Sequence, residues 1–380
     1  MQDKAIPTTS AETSAVRPPL QGCSRAPVIA IIIVNWRGWR DTVECLHSLL
    51  ALRNAKYRVI VCDNNSGDAS VDMIEKWARG EFTPQLTGSA WAEIREFDRL
   101  PGPVSYQRVG HGENIAQLAN GSEPLVTIIE ADANLGFAGG TNAGLRHAMT
   151  DPRFTHFWLL NNDTVVHADA AAMLLSRGEE CHQIGLCGSR IMRFDDPGKI
   201  QACGGSRYEW GRAWGHAILD SPFDRDHVES QLSYISGAST FATRSFVEQV
   251  GLLSEDYFLY FEEMDWVVRA AERFCLAYAP QSIVYHKEGK SIGSSSFDRP
   301  SNLSLRYMTA NRLIFTRKYA DEQIWNLRRE LGREGLSYIK RGDWHAALIF
   351  GRTILLDLFL RPRRTKDCSV LRSAGRPGDP

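Results

Sequence analysis

The first eighty residues group their hydrophobic positions into two short runs, each followed by a segment with helical spacing. Val28–Val34 is an uninterrupted run of mostly β-branched residues, and Arg58–Cys62 is a shorter run of the same kind. Such runs are typical of strands buried on both faces of a parallel sheet. Asp41 is predicted to cap the helix that follows the first run, and Ser70–Ala78 is predicted as the second helix. Strand, helix, strand and helix at this spacing predict a doubly wound α/β unit.

The pattern breaks beyond residue 80. Residues 80–124 contain several Gly and Pro and show no clear period, so we predict an insertion looped out of the sheet. Further elements are predicted at Leu125–Glu130, Phe157–Leu160 and Ser282–Tyr285 as strands, and at Thr141–Met149 and Glu262–Phe274 as helices. We therefore expect a disordered segment at 1–27, a domain at 28–300 and a helical C-terminal extension at 301–380.

Charge and cysteine usage indicate which partners and which cellular compartment to expect. The net charge of −1 gives no indication of a nucleic-acid partner, but residues 306–380 carry 16 Lys/Arg against 8 Asp/Glu. A basic end of this kind is either a solvated tail or a contact with an anionic membrane surface. None of the eight Cys forms a CxxC pair, and Cys62 and Cys275 lie in strand-like apolar runs. Isolated, buried cysteines are typical of a reducing compartment, which predicts a cytoplasmic protein.

Three predicted strands end in polar residues. Asn35 follows the first, Asp63 ends the second, and Asn161, Asn162 and Asp163 follow the strand at 157–160. In open α/β sheets, ligands bind beyond the carboxyl ends of the strands. Each residue taken alone fits ordinary turn chemistry, but three polar strand ends at one edge together indicate a binding site.

Later segments add further candidates. Gly136–Gly140 precedes a helix and can either bring backbone N–H groups to a phosphate or allow tight packing of helix on strand. Glu262, Glu263 and Asp265 lie in one helical turn beside an aromatic run, where they are either ordinary helix-dipole partners or a setting for a general base. His286, at the end of an apolar strand, is either structural or a metal ligand.

Six short motifs occur here in the order in which family 2 glycosyltransferases of the GT-A fold carry them. Over about residues 28–290 the chain resembles that family, especially its bacterial rhamnosyltransferase-like branch. The motifs are Ile33–Trp36, Val61–Ser66, Asn134–Asn142, Leu159–Asp163, Phe258–Asp265 and Val284–His286. The resemblance implies a GT-A (Rossmann-like) α/β fold: a mixed, mostly parallel sheet flanked by helices, here with a helical C-terminal extension.

The resemblance also implies roles for individual residues. Asp63 matches the acid that accepts the N–H of the donor base, Glu263 matches the catalytic base, with Asp265 as the alternative, and Asp163 and His286 match metal ligands. The implied donor-binding residues are Val34, Asn35, Asp63, Asn65, Gly140, Asn142, Asn161 and Asn162. Asn161 departs from the family pattern because it replaces the first acid of the D-x-D motif, which leaves fewer negative charges for the cation.

The implied activity is an inverting, metal-dependent transfer of a sugar from a nucleotide-diphosphate donor to a hydroxyl group. Hard oxygen ligands suit Mg²⁺ or Mn²⁺. The branch implies a deoxy-hexose donor such as dTDP-rhamnose and a glycan or lipid-linked acceptor in polysaccharide biosynthesis. The membrane reading of the basic C-terminal end places the protein at the inner face of the cytoplasmic membrane. Two alternatives remain. One is a non-catalytic nucleotide-sugar-binding relative, and the other is a sugar nucleotidyltransferase, which the bulky segment 35–39 disfavours.

Overall fold

The computed structural model describes residues 26–94, 103–110, 124–287 and 300–359. The disorder predicted for the N-terminal segment therefore lies almost wholly outside the described residues. The same holds for much of the 80–124 insertion and for the basic residues beyond position 360.

Thirteen strands lie within the described ranges. They are β1 Val28–Asn35, β2 Lys56–Asp63, β3 Tyr106–Gly110, β4 Val126–Glu130, β5 Phe154–Leu160, β6 Thr164–Val166, β7 Ile184–Arg193, β8 Ile200–Cys203, β9 Gly205–Glu209, β10 Trp214–Ala217, β11 Tyr234–Ile235, β12 Ser239–Thr243 and β13 Cys275–His286. Ten form one sheet in the order β3-β4-β2-β1-β5-β12-β7-β13-β6, with β8 paired to β7, and the remaining three form a small sheet in the order β10-β9-β11.

The α-helices of the described residues cover both faces of the large sheet and extend beyond it. They are α1 Trp39–Leu49, α2 Ser70–Ala78, α3 Ser89–Glu93, α4 Gly136–Met149, α5 Ala170–Glu179, α6 Arg225–Gln231, α7 Arg244–Val250, α8 Glu262–Ala270, α9 Asn302–Tyr319, α10 Ile324–Lys340 and α11 Trp344–Phe359.

Strand direction places the polar strand ends together. The strands β3, β4, β2, β1 and β5 run parallel, and β7 and β13 run parallel to each other. The intervening β12 is antiparallel to both β5 and β7, so β13 points the same way as β5. The carboxyl ends of β1, β2, β5 and β13 therefore lie at one edge of the sheet. This mixed, mostly parallel sheet with flanking helices confirms the predicted fold class.

The sheet separates two hydrophobic cores. Because successive residues of a strand point to opposite faces, Ile31 and Ile33 of β1 pack with α1, α2 and α5, whereas Ala30 and Ile32 pack with α4, α7 and α8. A third core joins Tyr257 and Met264 to apolar residues of α9, α10 and α11. The C-terminal helices thus share a core with the segment around α8 rather than standing apart from it.

The part of the insertion that the structure describes is not looped out of the sheet. Strand β3 forms the edge of the large sheet, parallel to β4 in the register Tyr106↔Val126, and α3 contributes Trp91 to a small core. The prediction of a looped-out segment is wrong for residues 106–110. An edge strand of five residues with one buried position, Val109, is too short to produce a recognisable period.

Four local predictions also need correction. Helix α1 begins at Trp39 with Gly38 as its N-cap, so Asp41 lies in the first turn rather than at the cap. Helix α4 begins at Gly136, five residues before the predicted start. Helix α8 ends at Ala270 because Ala271 adopts a φ of 50°, which ends a helix. Cys275 is exposed, because it lies at the start of β13.

Candidate active site

A buried hydrogen-bond network connects the ends of β1 and β2. The amide of Asn35 donates to Asp63 Oδ1 at 2.6 Å and to the hydroxyl of Ser66 at 3.2 Å. Ser66 in turn donates its hydroxyl to Asp63 Oδ1 at 2.6 Å and its backbone N–H to Asp63 Oδ2 at 3.0 Å. Asp63 is only 4% exposed. These three donors fix the carboxylate and leave acceptor capacity on Oδ2.

The glycine-rich start of α4 is used for close packing. A Cβ on Gly140 would lie 2.9 Å from Cγ1 of Val34 and 2.8 Å from the amide of Asn64, so only glycine lets α4 approach β1 this closely. Gly136 has a φ of 71°, and a Cβ there would lie 2.3 Å from the carbonyl oxygen of Phe258. This geometry accounts for both glycines by packing. Donor binding by Val34 and Gly140 stays a prediction.

Two further predicted donor-binding residues, Asn142 and Asn65, form hydrogen bonds with loops. The amide of Asn142 donates to the carbonyl of Leu253 at 2.9 Å and to the carboxylate of Glu255 at 2.8 Å, and it accepts from the N–H of Leu253 at 3.0 Å. Exposed Asn65 donates to the carbonyl of Asp132 at 2.9 Å. These contacts give the two side chains a structural role, and their donor-binding roles stay predictions.

The segment that matches D-x-D follows β5 at the same edge. The backbone N–H of Asn161 donates to the carbonyl of Ala238 at 3.1 Å. Asn162 donates to the hydroxyl of Thr42 at 3.0 Å, and Thr42 donates to Asn35 at 2.8 Å. A chain of buried side chains therefore links the predicted metal motif to the network around Asp63.

Asp163 is paired with His286. Its Oδ1 lies 3.2 Å from His286 Nε2, and both side chains are mostly buried. Nδ1 of the imidazole lies 3.1 Å from Gln201 Oε1, so each ring nitrogen has an oxygen within hydrogen-bond distance. An imidazole and a carboxylate are both side chains that ligate divalent cations. Burial acts to raise the pKa of Asp163, but His286 and Lys287 together hold that pKa below its ordinary value.

Lys287 is a residue of this edge that sequence reasoning missed. Its Nζ lies 2.7 Å from Asp41 Oδ1 and 2.8 Å from Glu44 Oε2, and its backbone N–H donates to the carbonyl of Asp163 at 3.0 Å. Burial acts to lower the pKa of Lys287, but the two carboxylates raise it above the ordinary value. The buried lysine therefore ties the end of β13 to α1 and to Asp163. Its position directly after the motif Val284–His286 was the available signal.

Glu262 and Glu263 begin α8 and face different surroundings. A Cβ on Gly237 would lie 1.8 Å from Glu263 Oε1, so the carboxylate rests against a site that only glycine leaves open. Burial raises the pKa of Glu263 to about 7. Glu262 is 1% exposed, and burial together with the charge of Glu263 raises its pKa well above its ordinary value. Of the two, Glu263 is the carboxylate that titrates near neutrality, as a general base requires.

The hydroxyl of Tyr260 is influenced by the acid of the predicted metal motif and by the glutamate pair of α8. Burial raises the pKa of its hydroxyl, and the negative charges of Glu262, Glu263 and Asp163 raise it further. A single side chain is therefore an electrostatic neighbour of both the predicted metal motif and the glutamate pair.

Asp265 is fully buried in an ion-pair network. Its carboxylate lies 2.6 Å from Arg269 Nε and 2.6 Å from Lys318 Nζ, and it accepts from the hydroxyl of Tyr319 at 2.7 Å. The i,i+4 contact with Arg269 confirms the predicted alternative for this side chain. The carboxylate of Asp265 is held by two cations and a hydroxyl, and its catalytic role stays a prediction.

The residues that could hold a cation are few. Within the described ranges, His, Cys, Asp and Glu form no group of three or more with the spacing of a metal site. Asp163 and His286 together offer one carboxylate and one imidazole. A divalent cation held there would complete its shell with donor oxygens and water, as Mg²⁺ and Mn²⁺ do at phosphate sites.

Two stretches of the chain, residues 30–87 and 110–246, match the model of Glycosyl transferase family 2, and they amount to just over half of the chain. The chain belongs to glycosyl transferase family 2. The match includes Asp63 and the segment Asn161–Asp163, whereas Glu263, His286 and the C-terminal helices of this family 2 chain lie beyond its end.

Solved structures give more distant likenesses. The mannosyltransferase PcManGT from Pyrobaculum calidifontis, in complex with GDP-Man and Mn²⁺, is 14% identical over 88% of this chain and 81% of its own, with a TM-score of 0.45. TarS residues 1–349 from S. aureus, in complex with UDP-GlcNAc, are 9% identical over 87% of this chain and 81% of that one, with a TM-score of 0.49. A search of curated proteins found no match.

Proposed function

We propose that this family 2 chain is an inverting, metal-dependent glycosyltransferase that moves a sugar from a nucleotide-diphosphate donor to a hydroxyl of a glycan or lipid-linked acceptor. The observation that carries the proposal is the pairing of Asp163 with His286 at the carboxyl edge of the sheet. A mostly buried carboxylate and imidazole at that edge are side chains that a divalent cation could take as ligands. The donor we favour, dTDP-rhamnose, rests on the resemblance of the sequence motifs alone.

Asp163 and His286 would hold the cation, and Gln201 would orient the imidazole. A bound Mg²⁺ or Mn²⁺ would supply positive charge to the diphosphate leaving group. Asp63 accepts an N–H of the donor base through the acceptor capacity that remains on Oδ2. The chain of side chains from Asp63 to Asn162 keeps the two ends of the donor site in register.

Glu263 removes the proton from the acceptor hydroxyl in this scheme. Its raised pKa makes it a stronger base than an exposed carboxylate, and its contact with Gly237 holds the carboxylate in place. One in-line displacement then inverts the anomeric carbon, and no covalent nucleophile is needed. A proton leaves the acceptor for Glu263 while the sugar–phosphate bond breaks.

The test is donor binding and donor hydrolysis over a panel of nucleotide sugars, with Mn²⁺ and with EDTA. We expect one donor to bind more tightly than the others and to be hydrolysed slowly in Mn²⁺ alone. A donor that binds without being hydrolysed or transferred would support the non-catalytic alternative. Full turnover in EDTA would remove the metal from the proposal.

We also propose that the helices α10 and α11 rest on an anionic membrane surface at the inner face of the cytoplasmic membrane, where a lipid-linked acceptor would be held. On α11 the exposed apolar residues recur at helical spacing. One stripe is formed by Trp344 (64% exposed), Leu348 (70%), Leu355 (55%) and Phe359 (81%) together with exposed Arg352, and Leu356 and Leu358 are exposed beside it. No helix of the described residues has the length and apolar character to span a bilayer.

Helix α10 carries a similar stripe with more charge. Its exposed positions include Trp325, Arg329, Arg333, Leu336 and Lys340, which repeat at helical spacing. Exposed tryptophans and basic side chains alongside leucines are typical of helices that lie at a membrane interface. Anionic headgroups complement these cations better than a second copy of the same basic surface would. An anionic bilayer is therefore the occupant that the surface favours.

A further inference from the structure

The turn that precedes the two glutamates has an unfavourable backbone conformation. Tyr260 and Phe261 both adopt left-handed φ angles, 71° and 79°, immediately before Glu262. Bulky residues are strained in this region, and such a conformation persists only where surrounding contacts hold it. The turn determines where α8 begins and therefore where the carboxylate of Glu263 points.

One face of α9 contacts this turn residue by residue. The contacting positions of α9 are spaced by three or four residues, so they lie on a single side of the helix. Ser304 accepts from the hydroxyl of Tyr260 at 3.1 Å, Tyr307 stacks on Phe258 at 4.8 Å, Phe315 lies 5.5 Å from the ring of Phe261, and Lys318 pairs with Asp265 at 2.6 Å.

Asn311 lies at the centre of that face. Its amide nitrogen donates to the carbonyl of Leu259 at 2.8 Å and to the carbonyl of Tyr260 at 2.9 Å. The residue is 2% exposed, so water cannot easily replace it. Both amide hydrogens are used, and they satisfy two consecutive carbonyls at the point where the chain enters its left-handed turn.

We propose that Asn311 is a positioning residue for the transfer reaction: it fixes the turn Leu259–Phe261 and thereby holds the carboxylate of Glu263 against Gly237. Helix α9 is then part of the active site, although it lies beyond the family match. The inference rests on the proposed role of Glu263 as the base.

The first experiment compares the full-length chain with its Asn311→Leu variant. Leucine has the same branched arrangement of side-chain heavy atoms but leaves both carbonyls without a donor. We expect kcat to fall roughly ten- to a hundredfold, because small displacements of a catalytic group are costly, while donor Kd stays within about twofold. Asn326→Leu makes the same chemical change on the exposed side of α10 and should leave kcat unchanged. If Asn311→Leu does not fold, the nearly isosteric Asn311→Asp, whose carboxylate cannot donate, takes its place.

A double-mutant cycle separates positioning from a general structural role. If Asn311 acts through Glu263, then Asn311→Leu should cause no further loss of kcat in the Glu263→Gln background. Equal losses of kcat in both backgrounds would overturn the inference, as would a lowered melting temperature with wild-type kcat. If the wild type transfers sugar and Glu263→Gln does not, but Asn311→Leu is fully active, only this inference fails. If the wild type transfers no sugar, the proposed function itself fails.

Discussion

The imidazole Nε2 of His286 lies 3.2 Å from Oδ1 of Asp163, although 122 residues separate them in the chain. The contact follows from strand pairing: β6, which begins directly after Asp163, runs antiparallel to β13 with Thr164 opposite His286. Gln201, on β8 at the far side of β7, lies 3.1 Å from Nδ1 of the imidazole. His286 and Gln201 come from two strands of one sheet, and Asp163 lies in the turn directly before a third, so the sheet gives all three a rigid support.

Removal of the carboxylate should abolish metal-dependent turnover. Asp163→Asn keeps the shape of the side chain and removes its charge, so we expect transfer to be lost in a chain that still folds. Gln201→Leu leaves both ligands in place but frees the imidazole, and we expect a 10- to 100-fold weaker Mn²⁺ affinity. Titration of donor hydrolysis with Mn²⁺ measures both effects. His216→Gln, an exposed histidine on β10, is the control, and a wild-type Mn²⁺ dependence in Asp163→Asn would contradict the assignment.

Donor affinity should depend on Asp63. Asp63→Ala removes a charge-assisted hydrogen bond to the donor base worth about 1.5–3 kcal/mol, which corresponds to roughly a ten- to hundredfold rise in donor Kd. Calorimetry with the nucleotide diphosphate, which carries no sugar to transfer, compares the Kd values of the variant and the wild type without turnover. Glu130→Gln changes the acid that ends the neighbouring β4 and should leave donor Kd unaltered. Equal donor Kd in Asp63→Ala and in the wild type would exclude the contact.

The pH profile should report Glu263. Because burial raises its pKa to about 7, and the base must be ionised to accept a proton, kcat/KM should fall as the pH drops through about 7. Glu263→Gln should lower kcat by about 10²–10⁴ and remove that limb, with donor Kd nearly unchanged. If the fall of kcat/KM at low pH persists in Glu263→Gln, a group other than Glu263 causes it.

Glu263→Gln and Asp265→Asn should change stability in opposite directions at pH 8. The folded chain keeps a proton on Glu263 between its ordinary pKa of 4.5 and about 7. The unfolded chain loses that proton, so the wild-type free energy of unfolding decreases as pH rises through this window. Glu263→Gln cannot ionise, so it avoids this decrease and should raise the melting temperature at pH 8. Asp265→Asn leaves the cations of Arg269 and Lys318 without their buried partner and should destabilise by roughly 3 kcal/mol.

Turnover distinguishes the same two variants. If Asp265→Asn alone loses turnover while it stays folded and binds donor, Glu263 is structural and Asp265 is the base.

Membrane association should depend on the exposed stripe of α11. We expect the full-length chain to sediment with vesicles of mixed phosphatidylcholine and phosphatidylglycerol, and to do so less at high salt because the headgroup attraction is screened. Leu348→Asp with Leu355→Asp should abolish sedimentation. Leu219→Asp, at a leucine that is 54% exposed elsewhere, should not. Absence of vesicle binding together with a concentration-dependent dimer that the double variant disrupts would identify a second copy as the occupant.

Several features were evident from local sequence patterns because they depend only on neighbouring residues. The buried run of β1 and the helices after it predicted parallel strands, and parallel strands bring Asn35, Asp63 and Asp163 to one edge wherever the rest of the chain goes. The helical spacing of α8 predicted that Glu263 and Asp265 point to different sides, and the i,i+4 contact of Asp265 with Arg269 agrees with it. Such features involve separations of a few residues, and their periods are visible without knowledge of the fold.

Other features depend on contacts between distant segments, which leave no local period. The ion pairs of Lys287 with Asp41 span 246 residues, and the edge position of Tyr106–Gly110 depends on where β4 lies. The asparagine that satisfies the turn before Glu262 is on a helix 50 residues later, because left-handed aromatic residues need a partner that the local chain does not supply. Strand ends can therefore be located from the sequence, whereas the partners that orient Asp163 and Glu263 follow from long-range packing of β8, β13 and α9.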